Sequence, residues 1–253
     1  MKSIGITFLI VLFGTVPVFS QQTVSVAAAA NLSAVEAPLK EAFTRAHPGM
    51  VAQFTLGASG ALVVQILNGS PVQVFLSADR GFAQKVVDAG LATGPVKTYA
   101  VGKLIFLATK PVNLSQGVAV VLDPAVVQFA NSNPETAPYG RAAVEAMKNA
   151  GVYDRAQTKQ VMGQNITQAL QFTLTATNFG FVNKSALYTK DVAPFNQQGK
   201  FWFEVDPQLY SPIEQGFVVL KASEANPEAK AFAEFLGSPE AQKVFADFGY
   251  GRP

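Results

Sequence analysis

Cysteine is absent from these 253 residues, and histidine occurs once, at His47. Without thiols there is no disulfide, no thiol nucleophile, no iron–sulfur cluster and no thiolate-bound zinc. A single imidazole removes most histidine-based metal sites and leaves little for acid–base catalysis. Charge is scarce too: 14% of the residues are Asp, Glu, Lys or Arg, against about 25% in an ordinary soluble domain. The 19 basic and 17 acidic residues leave a formal charge of +2. That is too little for a protein that must neutralise a nucleic-acid backbone. These absences speak against an enzyme, a protein-held metal ion and a nucleic-acid partner. No cofactor is expected.

What is present begins with a short apolar run. Lys2 precedes an uncharged stretch from Ser3 to Gln22 with an apolar centre at Ile4–Val16. Pro17 ends it, and Val18-Phe19-Ser20 places compact residues where a signal peptidase reads. A cleavable secretory signal over residues 1–20 is expected rather than a membrane span. No Cys follows the cut to carry a lipid anchor, and no later segment is long and apolar enough to cross a bilayer. The reading is an exported, soluble chain.

Beyond the signal the apolar period alternates between two and about 3.6 residues. Strands are predicted at Thr23–Ala28, Val51–Leu56, Val72–Ser77, Lys103–Thr109, Val118–Leu122, Gln128–Ser132, Phe179–Val182 and Val218–Leu220. Helices are predicted at Leu32–Arg45, Gly60–Asn68, Arg80–Ala89, Pro138–Ala150, Asn165–Thr173, Pro227–Leu236 and Pro239–Phe248. Strand and helix alternating over the whole length argue for an α/β fold with mostly parallel, buried sheets. No repeat, low-complexity linker or composition shift marks a head-to-tail boundary. That pattern fits two lobes between which the chain crosses more than once.

Four helix starts share one chemistry. Ala28-Ala29-Ala30-Asn31-Leu32, Leu56-Gly57-Ala58-Ser59-Gly60-Ala61-Leu62, Asn133-Pro134-Glu135-Thr136-Ala137-Pro138-Tyr139-Gly140 and Gly163-Gln164-Asn165-Ile166-Thr167 each lead into a helix. A helix N-terminus carries unpaired N–H groups and about half a positive charge, so it suits an anion. Small residues such as Ala30 and Gly60 let backbone approach a ligand closely. Asn31 adds amide donors and Ser59 a hydroxyl. Each charge-assisted hydrogen bond is worth roughly 1.5–3 kcal/mol, so about six could offset the dehydration of a small dianion. Taken singly, each start is also an ordinary cap, because Asn and Ser are common N-cap residues.

No Asp or Glu stands at a contact position of these turns, and Glu135 is expected to face solvent. A site of donors alone favours a fully ionised dianion such as molybdate, tungstate, sulfate or chromate over proton-bearing phosphate. Asp79 reads as the cap of the helix that starts at Arg80, Arg141 as a surface or cleft-rim residue, His47 as an exposed helix terminator, and Trp202 as packing. A secreted hydrolase built on Ser59, Glu204 or Asp206 is the competing reading. It fails on Ser59, which lacks the spacing of a nucleophile elbow, and on the single imidazole.

Gly-Ala-Ser-Gly-Ala-Leu (Gly57–Leu62), Val-Phe-Leu-Ser-Ala-Asp (Val74–Asp79), Asn-Pro-Glu-Thr-Ala-Pro-Tyr-Gly-Arg-Ala-Ala (Asn133–Ala143) and Asn-Phe-Gly-Phe-Val (Asn178–Val182) follow the Ala-Ala-Ala-Asn-Leu segment in order. Together, from about Thr23 to Gly251, the set resembles the periplasmic molybdate-binding proteins of molybdate ABC importers. The resemblance implies a two-lobed type II periplasmic binding protein, with the ligand in the interlobe cleft and no metal or charged side chain holding it. It implies a periplasmic, monomeric chain that captures molybdate or tungstate by hinge closure and presents it to a membrane permease. Carried over by position, the ligand-binding residues are Asn31, where many relatives carry Ser, Ser59, and the main-chain N–H groups of Tyr139 and Ile166. The family's final ligand is often a Tyr hydroxyl after the Gly-apolar-Val strand. Here that position is Asn183, an amide donor of shorter reach. The expected lobes are 21–102 with 218–253, and 103–217. The same fold binding sulfate or a small organic acid is the nearer alternative, although no Arg lies at a carried-over position to grip a carboxylate.

Overall fold

In the computed structural model, which describes residues 21–253, the chain enters directly into β1 (Gln22–Ala29). The expected signal over residues 1–20 lies outside the described residues. β1 pairs in parallel with β2 (Met50–Gly57) and β3 (Val74–Leu76), and β4 (Lys97–Gly102) completes the first pass through this sheet. Only Lys103 separates β4 from β5 (Leu104–Ala108), which belongs to a second sheet with β6 (Phe129–Ser132), β7 (Gln160–Gly163), β8 (Phe179–Asn183) and β9 (Trp202–Glu204). The chain then returns, and β10 (Ile213–Val219) inserts between β3 and β4. The sheet orders are β2-β1-β3-β10-β4 and β7-β6-β8-β5-β9. In each sheet one strand, β10 or β5, runs antiparallel to both of its neighbours. The other four share a direction, as the buried apolar runs predict.

Helices cover both faces. α1 (Glu36–Ala46), α7 (Pro227–Phe235) and α8 (Pro239–Asp247) seal one face of the first sheet, and α2 (Ser59–Leu67) and α3 (Arg80–Asp88) the other. α4 (Pro138–Asn149), α5 (Tyr153–Ala156) and α6 (Ile166–Phe172) pack on the second sheet. Both faces of β1 are therefore apolar, and Val24 and Val26–Ala29 are buried, as expected of a strand covered on both sides. Phe43 on α1 meets Phe232 and Phe235 on α7 at 5.1 and 5.4 Å between ring centroids, both edge-on, as the ring quadrupoles favour.

Three departures from the predicted elements have local causes. Val118–Leu122, predicted as a strand, lies in a 3-10 segment over Leu114–Leu122, broken at Gly117 with φ of 57°. Its Val118, Val120 and Val121 are buried. A short apolar run has no period that tells a strand from a buried turn of helix. The last strand starts at Ile213, five residues before Val218, because Glu214 and Gln215 pair with Val101 and Ala100 in spite of being polar. The predicted helix from Leu32 is split into a 3-10 turn, Ala30–Ala34, and α1, with Val35 at the joint. The strands β4, β7 and β9 carry too mixed a pattern to be visible in the sequence.

Candidate functional site

The 3-10 turn at Ala30 follows β1, α2 follows β2, α4 follows β6, and α6 follows β7. All four thus begin beyond the carboxyl ends of strands that share a direction within their sheet, which is where open α/β sheets place ligands. Their first residues line a single small cavity between the lobes, bounded by Ala30 and Asn31, Ala58 and Ser59, Pro138 and Tyr139, and Asn165 and Ile166. No charged side chain lines it.

Ser59 is buried, and its Oγ accepts the Ala78 N–H at 3.0 Å. That bond takes one of the two lone pairs, and the hydroxyl proton is free to donate. In α4, Pro138 occupies the first position, where a missing N–H costs nothing, and Tyr139 N–H lies in the turn that has no intrahelical acceptor. At α6 the Asn165 side chain caps Gln168 N–H at 3.0 Å and leaves Ile166 N–H uncommitted by the cap. Gly60 has a different part from close approach to a ligand. Its N–H donates to Thr136 O at 3.0 Å across the cleft, and a Cβ there would sit 2.9 Å from the Phe82 ring and 3.0 Å from Thr136 Cα. Thr167 Oγ1 also crosses, donating to Ala30 O at 3.1 Å. The lobes are closed on one another around the cavity.

Asn31 is buried, and its amide is committed in an unexpected sense. Nδ2 donates to Gln215 Oε1 and to Tyr250 Oη, each at 3.0 Å. Oδ1 is buried without a hydrogen-bond partner among the described residues. Asn183 is buried but does not line the cavity. It stands behind Asn31, with Nδ2 donating to Asn31 O at 3.2 Å and to Ser185 Oγ at 2.5 Å. Four of the five expected residues therefore surround the cavity, and the fifth holds the first turn in place from the other lobe.

The residues that sequence reasoning missed form this support. Gln215 Oε1 also accepts from Tyr99 Oη at 2.7 Å, and its Nε2 donates to Tyr139 Oη at 3.0 Å. Tyr250 Oη donates to Asn31 O at 2.9 Å. A Cβ at residue 102 would overlap Tyr139 Oη and come within 2.7 Å of Gln215 Nε2, so Gly102 is needed to seat the pair. The one available signal was Gln215 itself, a polar residue directly before an apolar run. Burial pushes the Tyr99 and Tyr139 phenols well above their ordinary value, with Tyr250 adding to both shifts. Burial also lifts Tyr250, to about 12, against the lowering effect of its hydrogen bonds to Ser185 and Asn31. The network under the cavity is neutral.

The groups a hydrolase would need are elsewhere. His47 packs against Phe43 at 5.0 Å between ring centroids, beside the first lobe's core. Burial raises the Glu204 carboxyl, but hydrogen bonds and charge from Lys184 at 2.6 Å and Lys103 at 3.2 Å outweigh it and hold the group below its usual range. Asp79 caps α3 through Phe82 N–H at 2.8 Å, and Trp202 is packed in the core. Among the described residues no cluster of three or more His, Cys, Asp or Glu could hold a metal ion, and no helix is long and apolar enough to cross a membrane.

Residues 24–251 match the family described as bacterial extracellular solute-binding protein. The chain is 36% identical to a molybdate-binding protein of Rhodobacter capsulatus over 248 residues, 97% of this chain and 95% of that protein. It is 36% identical to a molybdate-binding protein of Azotobacter vinelandii over 230 residues, 90% of this chain and 89% of that one. Its fold matches the solved Azotobacter vinelandii periplasmic molybdate-binding protein with a TM-score of 0.82 at 29% identity, covering 91% of this chain and 99% of that one. These relatives are solute-binding proteins, not enzymes.

Proposed function

This chain belongs to the family of bacterial extracellular solute-binding proteins, and from that premise we propose that it is the molybdate-capturing subunit of an ABC importer. The observation that carries the reading is the uncharged cavity on which four helix N-termini converge, with Ser59 Oγ accepting Ala78 N–H and its own proton free to donate. Such a site gives no proton to its ligand and offers it no carboxylate, so it selects a fully ionised tetrahedral dianion. In the dry interior each donor is electrostatically stronger than in water. The ligand set is Ser59 Oγ, the N–H groups of Tyr139 and Ile166, and Asn31, with Asn183 acting through Asn31. Tungstate, of the same charge and shape, binds in the same way.

The lobes are those expected, 21–102 with 218–253, and 103–217, and the pairing of β10 with β4 from Ile213 supports a return to the first lobe a few residues earlier. The linking segments are the hinge, and binding energy shifts the population toward the closed form, which the permease recognises. The protein works as a periplasmic monomer. Calorimetric titration with molybdate, tungstate, sulfate and phosphate at matched ionic strength tests this. Tight molybdate and tungstate binding with little response to sulfate or phosphate is the expected result. Silence toward all four would mean that the fold is shared but the cargo is not.

A further inference from the structure

Asn31 lines the cavity, but the donor end of its amide is committed to Gln215 and Tyr250, which do not. Both Nδ2 hydrogens are engaged by Gln215 and Tyr250, and the orphaned Oδ1 would oppose a dianion. Every group around it, however, can both give and accept. If both carboxamides exchange nitrogen and oxygen, the heavy atoms stay where they are. Gln215 Nε2 then donates to Asn31 Oδ1 and Tyr99 Oη, over the contacts now at 3.0 and 2.7 Å. Tyr99 Oη donates to Ser77 O, at 3.2 Å. Tyr139 Oη donates to Gln215 Oε1 over the present 3.0 Å contact. Tyr250 Oη turns its proton to Asn31 Oδ1, while Asn31 O keeps Asn183 Nδ2 and Ser185 Oγ, each at 3.2 Å. Every group that had a partner keeps at least one, although Asn31 O gives up its bond from Tyr250. The unpartnered atom changes from an acceptor to a donor, Asn31 Nδ2, which the ligand then satisfies.

We propose that Gln215 is a positioning residue that sets the sense of the Asn31 amide, and that anion binding selects the reversed, donor-presenting arrangement of the whole network. Gln215 does not line the cavity; it acts through Asn31. It also reaches Tyr139 of the other lobe over a contact kept in both arrangements, so the network spans the two lobes. This inference rests on the oxyanion reading above.

The test is carried out on the whole protein by following the side-chain amide signals of Asn31 and Gln215 by 15N NMR as molybdate is added. Both pairs are expected to shift, Gln215 included. Molybdate affinity is measured alongside in Gln215→Glu, with and without Asn31→Ser. A carboxylate at position 215 only accepts, so it holds Asn31 Nδ2 away from the ligand. An affinity loss of about 30-fold or more is expected from a lost charge-assisted donor and an opposed carbonyl. With Ser at position 31 there is no amide to orient, and the same change should cost several-fold less. A Gln215 signal unmoved by bound molybdate overturns the inference. So does a Gln215→Glu penalty of the same size in both backgrounds, which would mark plain charge repulsion. Silence of the unmutated protein toward molybdate overturns the oxyanion reading itself, and this inference with it.

Discussion

Arg141, one turn into α4, forms an ion pair across the cleft with Asp79, the residue that caps α3. The same guanidinium lies 5.8 Å from the centre of the Phe82 ring, so one side chain of the second lobe holds a charge and an aromatic face of the first. The Arg141 side chain is 44% exposed, and water screens such a pair to about 1 kcal/mol or less. Arg141→Gln should therefore speed ligand release up to roughly fivefold and leave association nearly unchanged. Stopped-flow dissociation measures this; an unaltered off-rate would show that the pair does not latch the closed form.

Ser59→Ala removes the hydroxyl of a cavity-lining residue and strands Ala78 N–H. Molybdate binding should weaken by about 1–3 kcal/mol, the cost of a donor lost from a charged ligand. A calorimetric change below about 0.3 kcal/mol would take Ser59 out of the site.

Gly60→Ala acts on closure. The added methyl meets Phe82 at 2.9 Å and Thr136 Cα at 3.0 Å, and only the second of these is backbone of the opposite lobe. The lobes should halt short of contact, with molybdate affinity down by about tenfold or more, since overpacking costs about 1–3 kcal/mol. Small-angle scattering should then show less compaction on adding molybdate than in the unmutated protein. Equal compaction would refute the steric account.

The buried phenols predict an alkaline limit to stability. Tyr250 is raised from 10.0 to about 12 in the folded protein, and Tyr99 and Tyr139 are raised as well. A phenol that keeps its proton more firmly when folded contributes stability that is complete below about pH 10 and is lost as pH rises toward about 12. Melting temperature should fall over that interval, and Tyr250→Phe should flatten the fall. A melting temperature that stays level across it would contradict the assignment.

Much of this protein is written locally. The apolar runs of β1, β3 and β5, the Pro138 start of α4 and the Asn165 cap of α6 each depend on a few neighbouring residues, which is why strands, helices and the four helix starts are legible in sequence. Which residues of those starts would line the cavity was expected only from the family resemblance, because taken singly each start is also an ordinary cap. What the sequence could not decide is which groups those starts would face. Asn31 meets Gln215 across 184 residues of chain and Tyr250 across 219. Hydrogen bonds of that span have no period or spacing to announce them. Only the packing of two sheets through β10 turned Asn31 toward its support, set Asn183 behind it, and gave Gly60 to lobe contact instead of to the ligand.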